Sequence, residues 1–442
     1  MLTLLKADLV ADLRVWLGTF AVMVAAGIAV GIPATLVDSA LHEPELLVQL
    51  GLVTVASIAL TLSIVSLVVV LSSTVRTLIE LRRRTFALWL IVGLQPSQVS
   101  RLVLGQLAVI AVTGAAIGSA IAWAVCPALV RTLLVGSEGL GDVVPTLGPG
   151  SAALGGAAVV LVVLIAAVAR SREAGSTPVL ALLRGGERPR PKLVLRLIVC
   201  ALLLALAGFM YATLPESFAR GASQSVLIGP VLIAAAASAA PLYVPSLIRL
   251  WTAVVPSKAS VSWFLARATV IDSAERSSAS VVSFSVAIGL LWTFLVGQYT
   301  VASASGGAGA ADPRPLALLL GGPTLLAAIG AAAGVLMASS FREREDALLD
   351  VAGGDGSIRT LTAAWEALIY VVTATIIGAV TAAAVALGLT AFLHPLAPAL
   401  RPEFVLPVGA VGALVCLLLA WAATFGPRLR RSGSTVDVLS GS

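Results

Sequence analysis

The chain carries little charge for its length. Of its 442 residues only 11% are Asp, Glu, Lys or Arg, against roughly 25% in a soluble domain. So few charges cannot cover a surface that faces water, which excludes a soluble globular protein. Histidine is nearly missing: His42 and His394 lie in separate short loops, without partners at metal-ligand spacing. Cys126, Cys200 and Cys416 all fall in or at the ends of apolar runs, and no CxxC pair occurs. That leaves neither a zinc site nor a disulfide framework, and the three read as small apolar fillers. There is no GxxxxGK[ST] phosphate-binding loop, so the chain is not expected to hydrolyse ATP itself. Ser, His and acidic residues do not converge on a catalytic constellation, no cofactor is expected to bind directly, and the chain is not read as an enzyme.

What is abundant is apolar: 59% of the residues are hydrophobic. They are gathered in runs of ~20 residues, each long enough to cross a ~30 Å hydrocarbon core. Backbone groups in lipid must bond within the protein, which leaves helices or a closed barrel. Runs such as Leu52 to Leu71 lack the alternation of barrel strands. The fold class is therefore an all-α polytopic membrane protein with about ten spans. They are about Trp16–Val37, Leu52–Val75, Val103–Cys126, Ala152–Val168, Leu193–Tyr211, Val226–Tyr243, Val281–Tyr299, Leu316–Ser339, Ala363–Ala391 and Val405–Phe425. Pro33, Pro127, Pro241, Pro245 and Pro395 fall at span ends, where a lost donor costs little.

With the N-terminus inside, all basic residues but Arg131, Arg220, Arg314 and Arg401 fall in inner segments. The positive-inside rule then places both termini in the cytoplasm. The net charge of +6 is thus topological rather than a nucleic-acid footprint, with some attraction to anionic lipid from the cluster between Arg170 and Arg196.

A repeat organises these spans. The stretch ELRRRTFALWLIVGLQPSQVSRL from Glu80 to Leu102 recurs, degraded, as FREREDALLDVAGGDGSIRTL from Phe341 to Leu361. At one offset of 260 positions Arg84 falls on Arg344, Ala87 on Ala347, Leu88 on Leu348, Gly93 on Gly353, Gln106 on Glu366 and Gly118 on Gly378. So long a period marks half a molecule rather than a solenoid unit. Residues 1–184 form a first half of four spans, 185–260 an inserted pair, and 261–442 a second half. An even insertion leaves the halves parallel. A charged, mildly amphipathic segment precedes each half, LLKADLVADLRVWL and LARATVIDSAERSSASV, and is expected to lie along the membrane surface. Gly27/Gly31, Gly114/Gly118 and Gly330/Gly334 have helix-packing spacing.

In the first copy, Arg82, Arg83 and Arg84 extend the second span past the lipid, Gly93 breaks the run, and Pro96-Ser97-Gln98 restarts a helix. The expected product is a short helix under the membrane, apolar on one side and exposed on the other. Positive-inside asks for charge but not for a repeated Arg–Ala–Leu–Gly spacing.

Basic residues, then Ala-Leu, then a Gly five residues on, then a Glu or Gln opening a span, resemble the FtsX-like permease domain of the MacB/FtsX class (type VII) of ABC transporters. The trailing PVLALLR from Pro178 to Arg184 is similar to the segment that closes that domain. The resemblance covers about 52–184 and 316–439, and the ten-span layout looks like the BceB-type permeases. It implies a permease subunit in a bacterial cytoplasmic membrane. The loops around Arg84, Leu88 and Gly93 and around Arg344, Leu348 and Gly353 would be coupling helices that dock on a separate ABC ATPase, two copies per chain, which supplies ATP hydrolysis. The chain departs from that pattern in three ways. Its second loop has a net charge of −2, Gln106 stands where Glu366 keeps an acid, and only about 300–315 occupies the place of a large external domain.

Three functions are in view. The first is ATP-coupled export or extraction of a lipophilic, peptide or lipid-linked substrate from the membrane. The second is a non-transporting subunit that signals to a partner by rocking. The third, an ion-coupled secondary transporter, calls for ionisable groups at mid-membrane. Glu366 and Gln298 lie instead near span ends.

Overall fold

The computed structural model describes residues 13–134, 143–175, 193–219, 224–256, 260–272, 274–305, 313–351, 356–403 and 405–429. Within them the chain is helical and without strands. The long helices are α1 (Leu13–His42), α2 (Leu46–Leu81), α4 (Pro96–Leu134), α5 (Pro149–Gly175), α6 (Leu193–Ala219), α7 (Ser225–Thr252), α9 (Ala274–Ala302), α10 (Pro313–Val351), α11 (Gly356–Leu393) and α12 (Leu406–Leu429). Two short ones, α3 (Arg83–Ile91) and α8 (Val261–Asp272), join them. Among the described residues nine helices are long and apolar enough to cross a membrane. In the tenth, α12, the described apolar stretch is Gly409–Ala423. The protein is a multi-pass membrane protein.

The helices outrun their hydrophobic stretches. With 36 residues at 1.5 Å each, α2 is about 54 Å long against a core of ~30 Å. Hydropathy marks where lipid ends, but the hydrogen-bond ladder continues past it. The prolines expected at span ends accordingly lie within helices: Pro33 in α1, Pro127 in α4, Pro241 and Pro245 in α7. Only Pro395 falls in a turn, after α11. Packing on neighbours offsets the one lost bond at each.

The two halves repeat the same helix contacts. In the first, α1 packs along α4 and α2, and α5 closes the group against α4, α2 and α1; in the second, α9 packs along α11 and α10, with α12 in the place of α5. Small residues make a close crossing in each. A Cβ on Gly27 would lie 2.9 Å from the Cα of Gly118, and one on Gly378 would lie 3.4 Å from the Cα of Gly289. Gly31 faces Ala122 and Cys126, Gly114 faces Met23, and Gly334 faces Ser280. Without a hydrophobic drive between helices in lipid, such close backbone approach supplies the dispersion contact that holds the bundle.

On the side opposite α3 the last turn of α1 is tied to the segment before α5. Asp38, buried, accepts from the Gly148 amide at 2.8 Å and the Ser151 hydroxyl at 2.7 Å, and Ser39 Oγ accepts from the Thr146 amide at 3.0 Å. A carboxylate at this N-terminus also meets the positive end of the α5 dipole. The second half does the same with neutral groups: the Arg401 amide donates to Ser303 Oγ at 3.0 Å and the Glu403 amide to Thr300 Oγ1 at 3.4 Å.

The halves meet along α2 and α10, with α1 against α10 and α2 against α9. The inserted pair packs through α7 onto α9 and α11. Of the two segments preceding the halves, the first lies mostly outside the described residues. The second forms α8, which packs on α11 by burying Trp263, Ala266 and Val270. Trp263 makes edge contacts with Trp251 and Trp365. Residues 265–272 of that segment thus lie in a helix packed on α11, and the rest continues into α9.

Candidate partner-docking site

The candidate site is α3, whose nine residues are bounded by two stops that the sequence explains. At its start Arg82 leaves helical geometry (φ −95°, ψ 5°). Two backbone bonds meet at it: the Arg82 amide donates to Leu78 O at 3.1 Å and the Phe86 amide donates to Arg82 O at 3.1 Å. At its end Gly93 has φ 102°, and the Gly93 amide bonds Leu90 O at 3.2 Å and the Leu94 amide bonds Trp89 O at 3.1 Å. That pair of bonds is a Schellman stop, which needs the left-handed conformation glycine adopts without steric cost. Pro96 then opens α4, and the Gln98 side chain reaches back to accept from the Gln95 amide at 3.0 Å. This is half of a capping box with proline at the first helical position.

The helix is two-faced. Phe86, Trp89 and Leu90, at i, i+3 and i+4, turn inward to the core, Phe86 completely. Leu88, Ile91 and Val92, with the same spacing on the other face, are exposed, Val92 at 83%. An amphipathic helix normally keeps such a triplet covered, so this is an apolar face without a cover in the isolated chain. Of the six expected site residues, Leu88 and Gly93 lie on this element. Arg84 is in the backbone of α3, and Arg344 and Leu348 are in the backbone of α10, their side chains outside the described residues. Gly353 lies outside the described residues altogether. The second copy also differs in form: α10 runs unbroken to Val351, with no separate short helix where the first copy bends.

Sequence reasoning passed over Arg82, which behaves unlike its neighbours in the arginine run. It is 2% exposed. Its guanidinium lies 4.9 Å from the ring centroid of Trp16 on α1, 5.9 Å from Phe86 and 6.0 Å from Trp89 on α3. Phe86 and Trp89 themselves pack at 5.6 Å between ring centroids. A desolvated cation over aromatic faces gains about 2 kcal/mol. Trp16 is buried too, and its indole N–H has no hydrogen-bond partner among the described residues. A turn before the bend, Arg76 pairs with Glu80 at 2.8 Å; partly exposed and four residues apart, that pair contributes about 0.3–0.5 kcal/mol.

Among the described residues three charged side chains are buried, each toward an end of its helix. Asp38 is at one end of α1, Arg82 at the bend, and Glu366 a few turns into α11, at the position matching buried Gln106 in α4. Among the described residues no group of three or more His, Cys, Asp or Glu is placed to hold a metal. A cavity of about 670 Å³ opens between α4 and α5, lined by small and apolar side chains including Ala115, Ser119, Trp123, Ala152, Gly156 and Leu164.

Residues 57–179, which span most of α2 and all of α3, α4 and α5, match the family model described as FtsX-like permease C-terminal. No curated protein and no solved structure matches the chain.

Proposed function

We propose, from the FtsX-like permease domain carried by residues 57–179, that the chain is the membrane subunit of an ABC transporter. A separate ATPase hydrolyses ATP, and this subunit turns that work into export or extraction of a lipophilic, peptide or lipid-linked substrate. The observation that carries the reading is the uncovered Leu88, Ile91 and Val92 face of α3. It belongs to a short helix set between two spans inside the matched segment, where it is suited to seat in a groove of a protein partner. By the 260-residue correspondence a second ATPase copy docks around Arg344, Leu348 and Gly353. The apolar cavity between α4 and α5 supports a lipophilic cargo over an ionic one.

Affinity purification of the tagged chain with its candidate ATPase tests this. The wild type is expected to retain the ATPase stoichiometrically, and a Leu88→Asp, Ile91→Asp variant of normal membrane yield is expected to lose it. Full retention by that variant, or no ATPase with the wild type under any nucleotide condition, refutes the reading.

A further inference from the structure

We infer that Arg82 is the joint that ties α3 to α1, and that the two halves are mechanically unequal because only the first has such a joint. The contacts run through one side chain. Arg82 stands between α2 and α3, and its guanidinium faces Trp16 of α1 on one hand and Phe86 and Trp89 of α3 on the other. The backbone leaves helical geometry at Arg82, while one helical bond runs into it from α2 and another runs on from it into α3, so α3 can tilt about this residue without either helix unravelling. It cannot leave α1 without drawing a cation off three aromatic faces in a site closed to water.

Trp16 opens the part of α1 that carries the contact onward. Gly18, two residues on, lies against Met337 of α10, where a Cβ would sit 2.9 Å from Met337 Cγ, and Thr19 Oγ1 approaches Met337 Sδ at 3.5 Å. Nine residues further Gly27 crosses Gly118 of α4. A displacement of α3 therefore reaches α10, in the other half, through α1.

The sequence of the second half does not repeat these residues. The 260-residue offset puts Arg342 at Arg82, but Asp346 at Phe86 and Leu349 at Trp89. The matching Gly27/Gly118 and Gly289/Gly378 crossings place Ser278 at Trp16. None of the three rings is kept, and α10 passes this point as one helix. One half ends in an elbow and the other in a rod, so the same push on each moves α3 relative to its half and moves α10 as a whole.

This inference rests on the permease reading for what pushes α3. Its test needs no ATPase, so failure of one is distinguishable from failure of the other. Spin labels are placed at Leu88 on α3 and Leu41 on α1, both exposed, in the full chain with Cys126, Cys200 and Cys416 changed to alanine. Double electron–electron resonance should give one narrow distance for the parent. Arg82→Met and Trp16→Leu should each broaden it at least two-fold, and Arg82→Lys, which keeps a cation, should restore much of the sharpness. A control pair at Leu41 and Leu161 on α5 should stay narrow throughout. Arg342→Met, read between Leu348 and Val301, should change nothing. An unchanged Leu88–Leu41 distribution in Arg82→Met and Trp16→Leu overturns the joint. So does broadening of both pairs in every variant including Arg82→Lys, which would make Arg82 a folding residue. Equal broadening by Arg342→Met overturns the inequality of the halves.

Discussion

Val70 on α2 and Gly330 on α10 touch, and they are equivalent positions: Gly330 follows Val70 by the 260-residue offset of the repeat, and Val70 Cγ1 fills the space a side chain on Gly330 would need. Equivalent residues of two related halves can meet only where the axis relating them passes. Four residues before Val70, Ser66 Oγ donates at 2.9 Å to the carbonyl of Pro323, seven residues before Gly330, so numbers rise together along both helices and α2 and α10 run in the same direction. The axis therefore lies along the bundle, as parallel halves require.

A side chain at Gly330 should thus act on the contact between halves. Gly330→Leu is expected to lower the thermal midpoint in detergent, at a cost of about 1–3 kcal/mol from overpacking. Gly330→Ala should cost less, and Val70→Ala in the same chain should recover most of the loss, since the deleted methyls vacate the space the new one enters. Directly packed residues couple by about 0.5–3 kcal/mol in such a cycle. Strict additivity of the two changes would show that they do not touch.

Much of this was legible in the sequence. Helix class and nine of the ten expected spans follow from long apolar runs, and all six glycines with packing spacing are at helix crossings. Helix ends were not legible, because hydropathy reports lipid contact while α2 and α4 continue beyond it. Arg82 was hidden for another reason. Read locally it is one of three arginines extending a span, and the ring that buries it, Trp16, is 66 positions earlier in the chain. The repeat drew notice to Arg84 because Arg84 has the same flanking Ala-Leu in both copies. The residue with the built environment is the one whose surroundings are not repeated.

The tie between α1 and α5 predicts a graded response at Asp38. Asp38→Ala leaves the Gly148 amide and Ser151 hydroxyl without their acceptor and removes the charge from the α5 N-terminus. The expected loss is about 1.5–3 kcal/mol, the range for a hydrogen bond to a charged group. Asp38→Asn keeps an acceptor and should lose less. Thermal unfolding in nanodiscs, together with amide exchange at Thr146 to Gly148, reads both. Equal stability of wild type and Asp38→Ala would mean the tie is not needed to seat α5.

Gly93 offers the sharpest separation of conformation from space. No atom lies within 4 Å of where its Cβ would be, yet φ is 102°. Any penalty on substitution is therefore backbone strain, not a clash. A left-handed conformation costs an ordinary residue about 1–2 kcal/mol, and asparagine bears it best. Gly93→Val should fray the last turn of α3, seen as faster amide exchange at Gly93 and Leu94, the donors to Leu90 O and Trp89 O. Because those two bonds also hold Trp89 in the rings around Arg82, exchange should rise at the Phe86 amide as well. Gly93→Asn should fall between valine and the parent. If Gly93→Val and Gly93→Asn exchange alike, the stop is not set by the positive φ, and the glycine spacing of the repeat needs another cause.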